Sequence, residues 1–438
     1  MPPLHLLKRV CRLLLTAFRL KSGMRYFVSF LLLFNALSVK AISLTDNLDV
    51  SGFARVIGGY MDGAESQDFG GYENSISLGQ ESLLAIQPTY SLTDSLSITG
   101  QLLAHSSENR DSGAEWMYLS YRPDSAWHFR AGKLRMPFFS YSDSLDVGYS
   151  YPWISAPNQV YRNYLFSTFK GASGSYNYTG LNYSLNLEAY YGYYDGDILI
   201  AGKRVDVDGK LTDLTGVVLN LSSHNFGLRL SYHYAYNESI IYSLLSLQQA
   251  LEQAGFSDSA RSVDSKGDVN FFEAALTYDT LSSFYKAEWV HTTTEFQAAP
   301  ELTGYYFTAG YIIGDWTLRA TYAASAYSET HAEDEVQAFL DSGIIPPGSP
   351  QYAQLSELAD GYYQLFQSLP DGSLDTYTLG ARWDFDLNMA LKLDVSYLEE
   401  TAPRSGFFAT PSTGFYTEEN VSDRYSATLY QLGWEWIF

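Results

Sequence analysis

The chain ends in Tyr430-Gln-Leu-Gly-Trp-Glu-Trp-Ile-Phe438. Counted back by two from Phe438, the residues Trp436, Trp434, Leu432 and Tyr430 are all large and apolar. The alternate positions hold Ile437, Glu435, Gly433 and Gln431. A period of two puts these sets on opposite faces of a β-strand. Left at the open edge of a soluble sheet, so aromatic a strand invites aggregation. A strand that closes a barrel inside a bilayer has no free edge, and its aromatic face meets lipid. The segment therefore favours a membrane barrel over the alternative, the last strand of a soluble sandwich.

The same alternation recurs along the chain. Phe226, Leu228, Leu230, Tyr232, Tyr234 and Tyr236 oppose Gly227, Arg229, Ser231, His233 and Ala235. Tyr183 to Tyr191, Trp316 to Tyr322 and Met389 to Tyr397 split in the same way, apolar on one face and polar on the other. An apolar face opposite charged residues reads as lipid-out and water-in. Aromatic residues make up 16% of the chain, with 37 Tyr and 25 Phe, a supply suited to interfacial belts. Short turns such as Ser91-Leu-Thr-Asp-Ser95, Arg122-Pro-Asp-Ser125 and Ser222-Ser-His-Asn225 alternate with longer, acidic connections. The strands are expected at about 48–60, 77–90, 95–106, 114–122, 126–136, 164–178, 182–194, 212–221, 225–237, 268–279, 282–295, 302–313, 315–328, 373–385, 389–400 and 422–438. The fold class is thus all-β: a transmembrane antiparallel barrel of about sixteen strands, an even number that leaves an aqueous interior. Helical spacing marks two long connections, Ile240 to Gly255 and Glu333 to Phe366, the second broken at Ile345-Pro-Pro-Gly348. They read as an outer lid.

Met24-Arg25, the apolar run 26–39 and Lys40-Ala41 form a signal peptide with a cut after Ala41. The apolar run is shorter than the roughly 20 residues a spanning helix needs. Residues 1–41 are thus an N-terminal extension and leader, with Met24 the expected start, and 42–438 the barrel. The single cysteine, Cys11, leaves with the leader, so the mature chain has no disulfide or thiolate metal site. Seven of the 27 basic residues and none of the 49 acidic ones lie in 1–41, which leaves a mature charge of −29. Such a surface disfavours nucleic acid. No cofactor or metal motif is present in the sequence.

The C-terminal pattern resembles the assembly signal of Gram-negative outer-membrane proteins. On that resemblance Tyr430, Leu432, Trp434, Trp436 and Phe438 would be read by the barrel-assembly machinery. Between the fifth and sixth strands, Gly132-Lys-Leu-Arg-Met-Pro-Phe138 resembles the Gly-x-x-x-x-Pro-Phe step of several substrate-selective porins. The resemblance implies that the following loop, about 137–160, folds into the barrel as a constriction. It also implies a homotrimer in the outer membrane, among lipids and lipopolysaccharide, passing small hydrophilic solutes and ions passively. The short Pro-Glu-Phe-Gly-Gly motif of enterobacterial porins is absent, so their eyelet geometry does not carry over.

Asp143 and Asp146 are the loop's acids and the candidate constriction residues. By alternation the inward basic residues are Arg55, Arg130, Arg229, Arg319, Arg382, Lys286 and Lys392, and the inward acids are Glu188, Glu273, Glu288, Asp384 and Asp394. Opposed charges in a narrow wet passage orient dipolar solutes. Lys133 and Arg135 fall on the lipid side unless a bulge at Gly132 turns them. Tyr141, Tyr149, Tyr151 and Trp153 either stack sugar rings or pack on the wall. The outer-loop acids Glu329, Glu333, Asp334, Glu335 and Asp341 suit divalent cations that bridge lipopolysaccharide, and the mixed wall predicts weak cation preference. His105, His128, His224, His233, His291 and His331 sit in no hydrolase or metalloprotease motif, although His233 and His291 are candidates to face the lumen. Two functions remain open. One is a passive channel, general or mildly selective. The other is a non-conducting barrel serving as adhesin, phage receptor or structural surface protein.

Overall fold

The computed structural model describes residues 42–438 apart from 64–67, 108–109, 162–165, 201–202, 296–300, 329–333, 369–371, 404–406 and 409–423. The leader 1–41, with Met24, lies outside the described residues, as do Glu329, His331 and Glu333.

Sixteen antiparallel strands form the wall. They are β1 (Leu48–Gly63), β2 (Leu83–Ser91), β3 (Leu96–His105), β4 (Gly113–Tyr121), β5 (Trp127–Arg135), β6 (Thr168–Thr179), β7 (Ser184–Ile200) and β8 (Lys203–Ser223). Then follow β9 (Phe226–Asn237), β10 (Gly267–Asp279), β11 (Ser283–Thr294), β12 (Leu302–Ile313), β13 (Trp316–Tyr327), β14 (Leu374–Asp386), β15 (Met389–Glu400) and β16 (Ser426–Ile437). Each pairs with its sequence neighbours, and β16 pairs with β1 through Trp434↔Val56 and Tyr430↔Tyr60, which closes the barrel. Closure satisfies every edge, the condition for a sheet in lipid. No described helix is long and apolar enough to cross a membrane.

Large apolar side chains point outward and are open to the surroundings: Met117, Tyr191, Phe226, Leu276, Phe307, Leu379 and Leu432 are examples. Aromatic pairs such as Trp127 with Tyr176 (ring centroids 5.0 Å apart) and Trp316 with Trp383 (5.4 Å) ring the short-turn end. A continuous apolar belt of this kind belongs in a bilayer. The wall is uneven. Strands β2 to β5 have 9 or 10 residues, whereas β7 and β8 have 17 and 21. The expected strands matched these except at the loop ends. There β7 and β8 extend beyond 194 and 212, and β2 begins at Leu83 rather than 77.

Two long connections carry helices α2 (Tyr242–Ala254), α3 (Ser257–Ser262), α4 (Glu335–Asp341) and α5 (Pro350–Ser368); a short α1 (Asn158–Tyr161) precedes them in the chain. Gly255 ends α2 at φ 89°, a left-handed cap that glycine adopts freely. Leu251, Val263, Val336, Ala359 and Tyr362 form the helices' shared apolar core.

Candidate functional site: an internal strap across the barrel

After Arg135 the chain leaves the wall and runs through the lumen from Met136 to Tyr161 before β6 resumes. This strap is not a loose loop. Met136, Phe139, Tyr151, Trp153, Ile154 and Val160 are all at most 2% exposed. All but Ile154 pack with inward wall residues Phe169, Tyr190, Phe271, Val290 and Tyr306 into one aromatic core. Trp153 meets Tyr306 edge-on at 5.3 Å and gives its indole N–H to Thr321 Oγ1 (3.0 Å). Buried aromatic area of this kind contributes about 1.5–3 kcal/mol per side chain.

The wall grips the strap mostly by its main chain. Arg229 donates to Pro137 O (2.6 Å), and Arg319 to Pro152 O (3.1 Å). Arg382 donates to Tyr149 O (2.7 Å) and Tyr151 O (3.2 Å), with its guanidinium 4.5 Å from the Tyr149 ring centroid. Lys392 reaches Gly148 O (2.7 Å), Tyr151 O (2.7 Å) and Trp153 O (2.8 Å) while paired with Glu435 (2.6 Å). Arg55 donates to Ile154 O and to the Tyr151 hydroxyl (3.0 Å). Carboxylates take the opposite role: Glu288 accepts from Ser140 N (3.0 Å) and Asp394 from Ile154 N (2.9 Å). Charge-assisted bonds away from water are the stronger class. Tyr149 Oη donates to Leu387 O (2.9 Å) in the β14–β15 turn, so the strap reaches the short-turn end. Close approach requires glycine twice. A Cβ on Gly148 would lie 2.1 Å from Glu435 Oε1, and one on Gly304 would lie 2.1 Å from Gln159 O.

These contacts sort the sequence-derived candidates. Arg55, Arg319, Lys392, Glu273, Glu288 and Asp394 face inward but are buried beneath or against the strap, so they fasten it and do not line a passage. Arg319 pairs with Asp394, and Arg229 with Glu273 (3.0 Å). Arg130, paired with Glu188 (2.5 Å), and Lys286, 3.8 Å from Asp279 and 5.9 Å from the Tyr141 ring centroid, remain partly open, as does Arg382 beside Asp384 (2.7 Å).

The two loop acids separate. Asp143 is exposed on the strap, and its charge reaches Arg130. Asp146 is buried, against the expectation that it lines the constriction. Arg110 binds it through two nitrogens (2.5 and 2.9 Å), and Arg135 joins at 3.1 Å. Glu115 is 2.9 Å from both arginines. Burial opposes the charge on Asp146, but Arg110 and Arg135 overcome it and hold the carboxyl far below the usual carboxylate range. Arg110 carried no sequence signal: it lies outside any alternating run, on the β3–β4 connection.

The strand register shows no shift at Gly132 (φ 142°), so Lys133 stays on the outer face. Arg135, the last residue of β5, is instead buried, bonded to Ser142 O (2.9 Å) and set over the Trp116 ring. Tyr151 and Trp153 pack in the core and Tyr141 packs against both, so this aromatic run is a structural filling. His233 faces inward but is buried, bonded to Tyr190 Oη (2.6 Å) and Ser231 Oγ (2.9 Å). His291 is opposite the exposed Phe272 and stacks on Trp289, so it belongs to the outer face and not the lumen. Ser231 sits between Glu273 (3.0 Å) and His233, the wrong order for a hydrolytic triad, in which histidine lies between the acid and serine. Among the described residues no His, Cys, Asp and Glu group could hold a metal ion. On β16, Tyr430 and Leu432 face outward and are exposed, while Trp434 and Trp436 lie 6.3 Å apart towards the strand's end.

The strap leaves one sector of polar wall uncovered. From β6 to β9 a belt of side chains links Asn177, Asn186 (2.8 Å), Asn220 (3.2 Å) and Arg229 (3.3 Å). On β2 and β3 the partly open Gln87 and Thr89 bond the buried Gln101 (3.1 Å) and Thr99 (3.1 Å). Arg130, on β5 between these two groups of strands, bonds Ser173 of β6 (3.2 Å) and Glu188 of β7 (2.5 Å).

No family model matches the chain, and no curated protein matches it. Solved structures do. An anion-selective porin from Comamonas acidovorans aligns with TM-score 0.52 at 13% identity, over 89% of this chain and 99% of that one. The outer-membrane channel DcaP of Acinetobacter baumannii aligns with TM-score 0.52 at 11% identity, over 91% and 100%. OmpF of Salmonella typhi, solved with daunomycin, aligns with TM-score 0.51 at 14% identity, again over 91% and 100%. Likeness at such low identity concerns the backbone path, and on that measure the chain has the fold of the outer-membrane porins.

Proposed function

We propose that the protein is an outer-membrane channel that passes small hydrophilic solutes and ions passively, through a narrow passage beside the strap. One observation carries this reading: outside the aromatic core, the inner wall from β2 to β9 keeps a partly open row of hydrogen-bonded polar side chains, from Gln87 and Thr89 through Arg130 and Glu188 to Asn186 and Asn220. A barrel whose interior served only as a scaffold would gain nothing from unfilled amides on that side, since protein interiors close-pack. The channel performs no chemistry. It is assembled by the machinery that reads the Tyr430 to Phe438 signal, and functions as a homotrimer among lipopolysaccharide. The passage is bordered by Asp143, Arg130, Glu188 and Lys286. Both signs of charge meet there, so ion selectivity is weak and slightly cationic.

Single-channel recording of the refolded barrel in a planar bilayer tests the proposal. Small, ohmic steps with a slight cation preference are expected. A folded, heat-modifiable barrel that never conducts would refute it in favour of the surface-receptor reading, and a clear anion preference would refute the charge assignment.

A further inference from the structure

Lys133 and Lys170 lie directly opposite each other on β5 and β6. Their row continues to Met117 on β4 and Tyr193 on β7, both exposed on the outer wall. Like charges directly opposite on adjacent strands are destabilising, because their Cβ atoms sit only about 5 Å apart. No carboxylate relieves this pair among the described residues. Lys133 Nζ donates to Ala114 O (3.1 Å), and Lys170 Nζ lies 5.7 Å from the Tyr193 ring centroid. Three other wall lysines are matched: Lys210 pairs with Glu238, Lys286 faces Asp279 and Lys392 pairs with Glu435.

The position along the wall is also particular. Lys133 comes two residues before β5 ends, and Lys170 two residues after β6 begins, so both stand at the long-loop rim. The wall is low here, because β2 to β5 are the short strands. Acids stand outward at other strand ends of this rim, among them Asp62, Asp195, Asp268, Asp375 and Glu399. Two unmatched ammonium groups beside a tyrosine, at headgroup height in a chain of strongly negative charge, form a local exception.

The geometry points to a binding site on the outer wall for the phosphate of a phosphorylated outer-leaflet lipid, held between Lys133 and Lys170 with its acyl chains along Met117, Leu119 and Ala131. The phosphate supplies the acceptors and the negative charge that two facing ammonium groups lack. Tyr193, amphipathic at the same level, completes the cradle. This inference rests on the barrel standing in an outer membrane, but not on its conducting.

The test uses barrel extracted from membranes into detergent and native mass spectrometry, with three probes: diphosphoryl hexa-acyl lipid A, the same lipid dephosphorylated, and inorganic phosphate. Each surface lysine near an anionic headgroup contributes about fivefold in affinity. Lys133→Gln with Lys170→Gln is therefore expected to cut retention of the diphosphoryl lipid by about thirtyfold. The dephosphorylated lipid should bind weakly and equally to both proteins, and Lys210→Gln should change nothing. In lipid-free detergent, Lys170→Gln alone should raise the unfolding temperature, because it relieves the repulsion; a fall would overturn the unmatched-pair argument. Equal retention by the double variant would overturn the site. So would full displacement of lipid by millimolar inorganic phosphate, which would assign the site to a free anion. Dissociation of an oligomer in the double variant with lipid retention per subunit unchanged would assign the pair to a subunit contact. Conductance measured on the same variants separates failure of this site from failure of the channel reading.

Discussion

Replacing Lys392 by methionine removes a cation that holds three strap carbonyls at once, those of Gly148, Tyr151 and Trp153. The side chain is 1% exposed, and its loss also strands Glu435, itself 1% exposed, with Arg55 at 3.7 Å as its remaining ion partner. Breaking a buried pair costs about 3–5 kcal/mol. If that cost falls on strap attachment, the population of molecules with the 148–155 arm detached rises about 150- to 5,000-fold. The assay is single-channel recording combined with the temperature at which the folded band is lost on a gel. Lys392→Met should show brief, wide conductance events on a narrow baseline and a lower melting temperature. Adding Glu435→Gln separates the two contributions. Melting should partly recover, because no unpaired carboxylate remains, but wide events should persist, because the carbonyls still lack their donor. A folded Lys392→Met barrel with unchanged conductance events would refute the reasoning. Lys392 would then merely neutralise Glu435.

Asp146→Asn should loosen the near end of the strap and broaden the conductance distribution. The same site gives a pH dependence. The folded carboxyl lies below its unfolded value, so its stabilisation is complete above about pH 4 and declines as pH falls further; a barrel whose strap loosens on raising the pH from 5 to 8 would contradict this. Trp153→Ala should destabilise the folded barrel by about 3–5 kcal/mol and widen the passage, read as lower thermal stability with larger steps. Asp143→Lys should move the reversal potential in a salt gradient towards anions while leaving melting unchanged, because Asp143 is exposed; equal selectivity in wild type and variant would remove Asp143 from the passage.

Much of the wall was legible in the sequence because lipid on one side and water on the other impose a strict period of two. Phe226 to Tyr236 and Trp316 to Tyr322 needed no other clue. The pattern failed where the two environments become alike. At the end of β7, Asp195-Gly-Asp197 puts polar or small residues on both faces, so no apolar face marks it. The same limit explains the site. Alternation reports which way Lys392 or Asp394 points, but not that a strap 240 residues away in the chain will cover it. Asp143 and Asp146 are three residues apart and look identical in sequence. Only the arrival of Arg110 and Arg135 distinguishes a buried anchor from an exposed lining charge.

The grip on the strap is made largely to peptide carbonyls, which every amino acid possesses. Arg229, Arg319, Arg382 and Lys392 read the path of the backbone and are indifferent to most side chains that hang from it. On the proposed channel reading, attachment and filtering are therefore encoded in separate places. The wall cations cannot change without releasing the strap, whereas exposed strap positions such as Asp143 and Ser150 are free to vary while the path is kept. A lineage, or a designer, could exchange what the barrel admits by rewriting a few surface letters of the strap, and the frame that carries it would not register the edit.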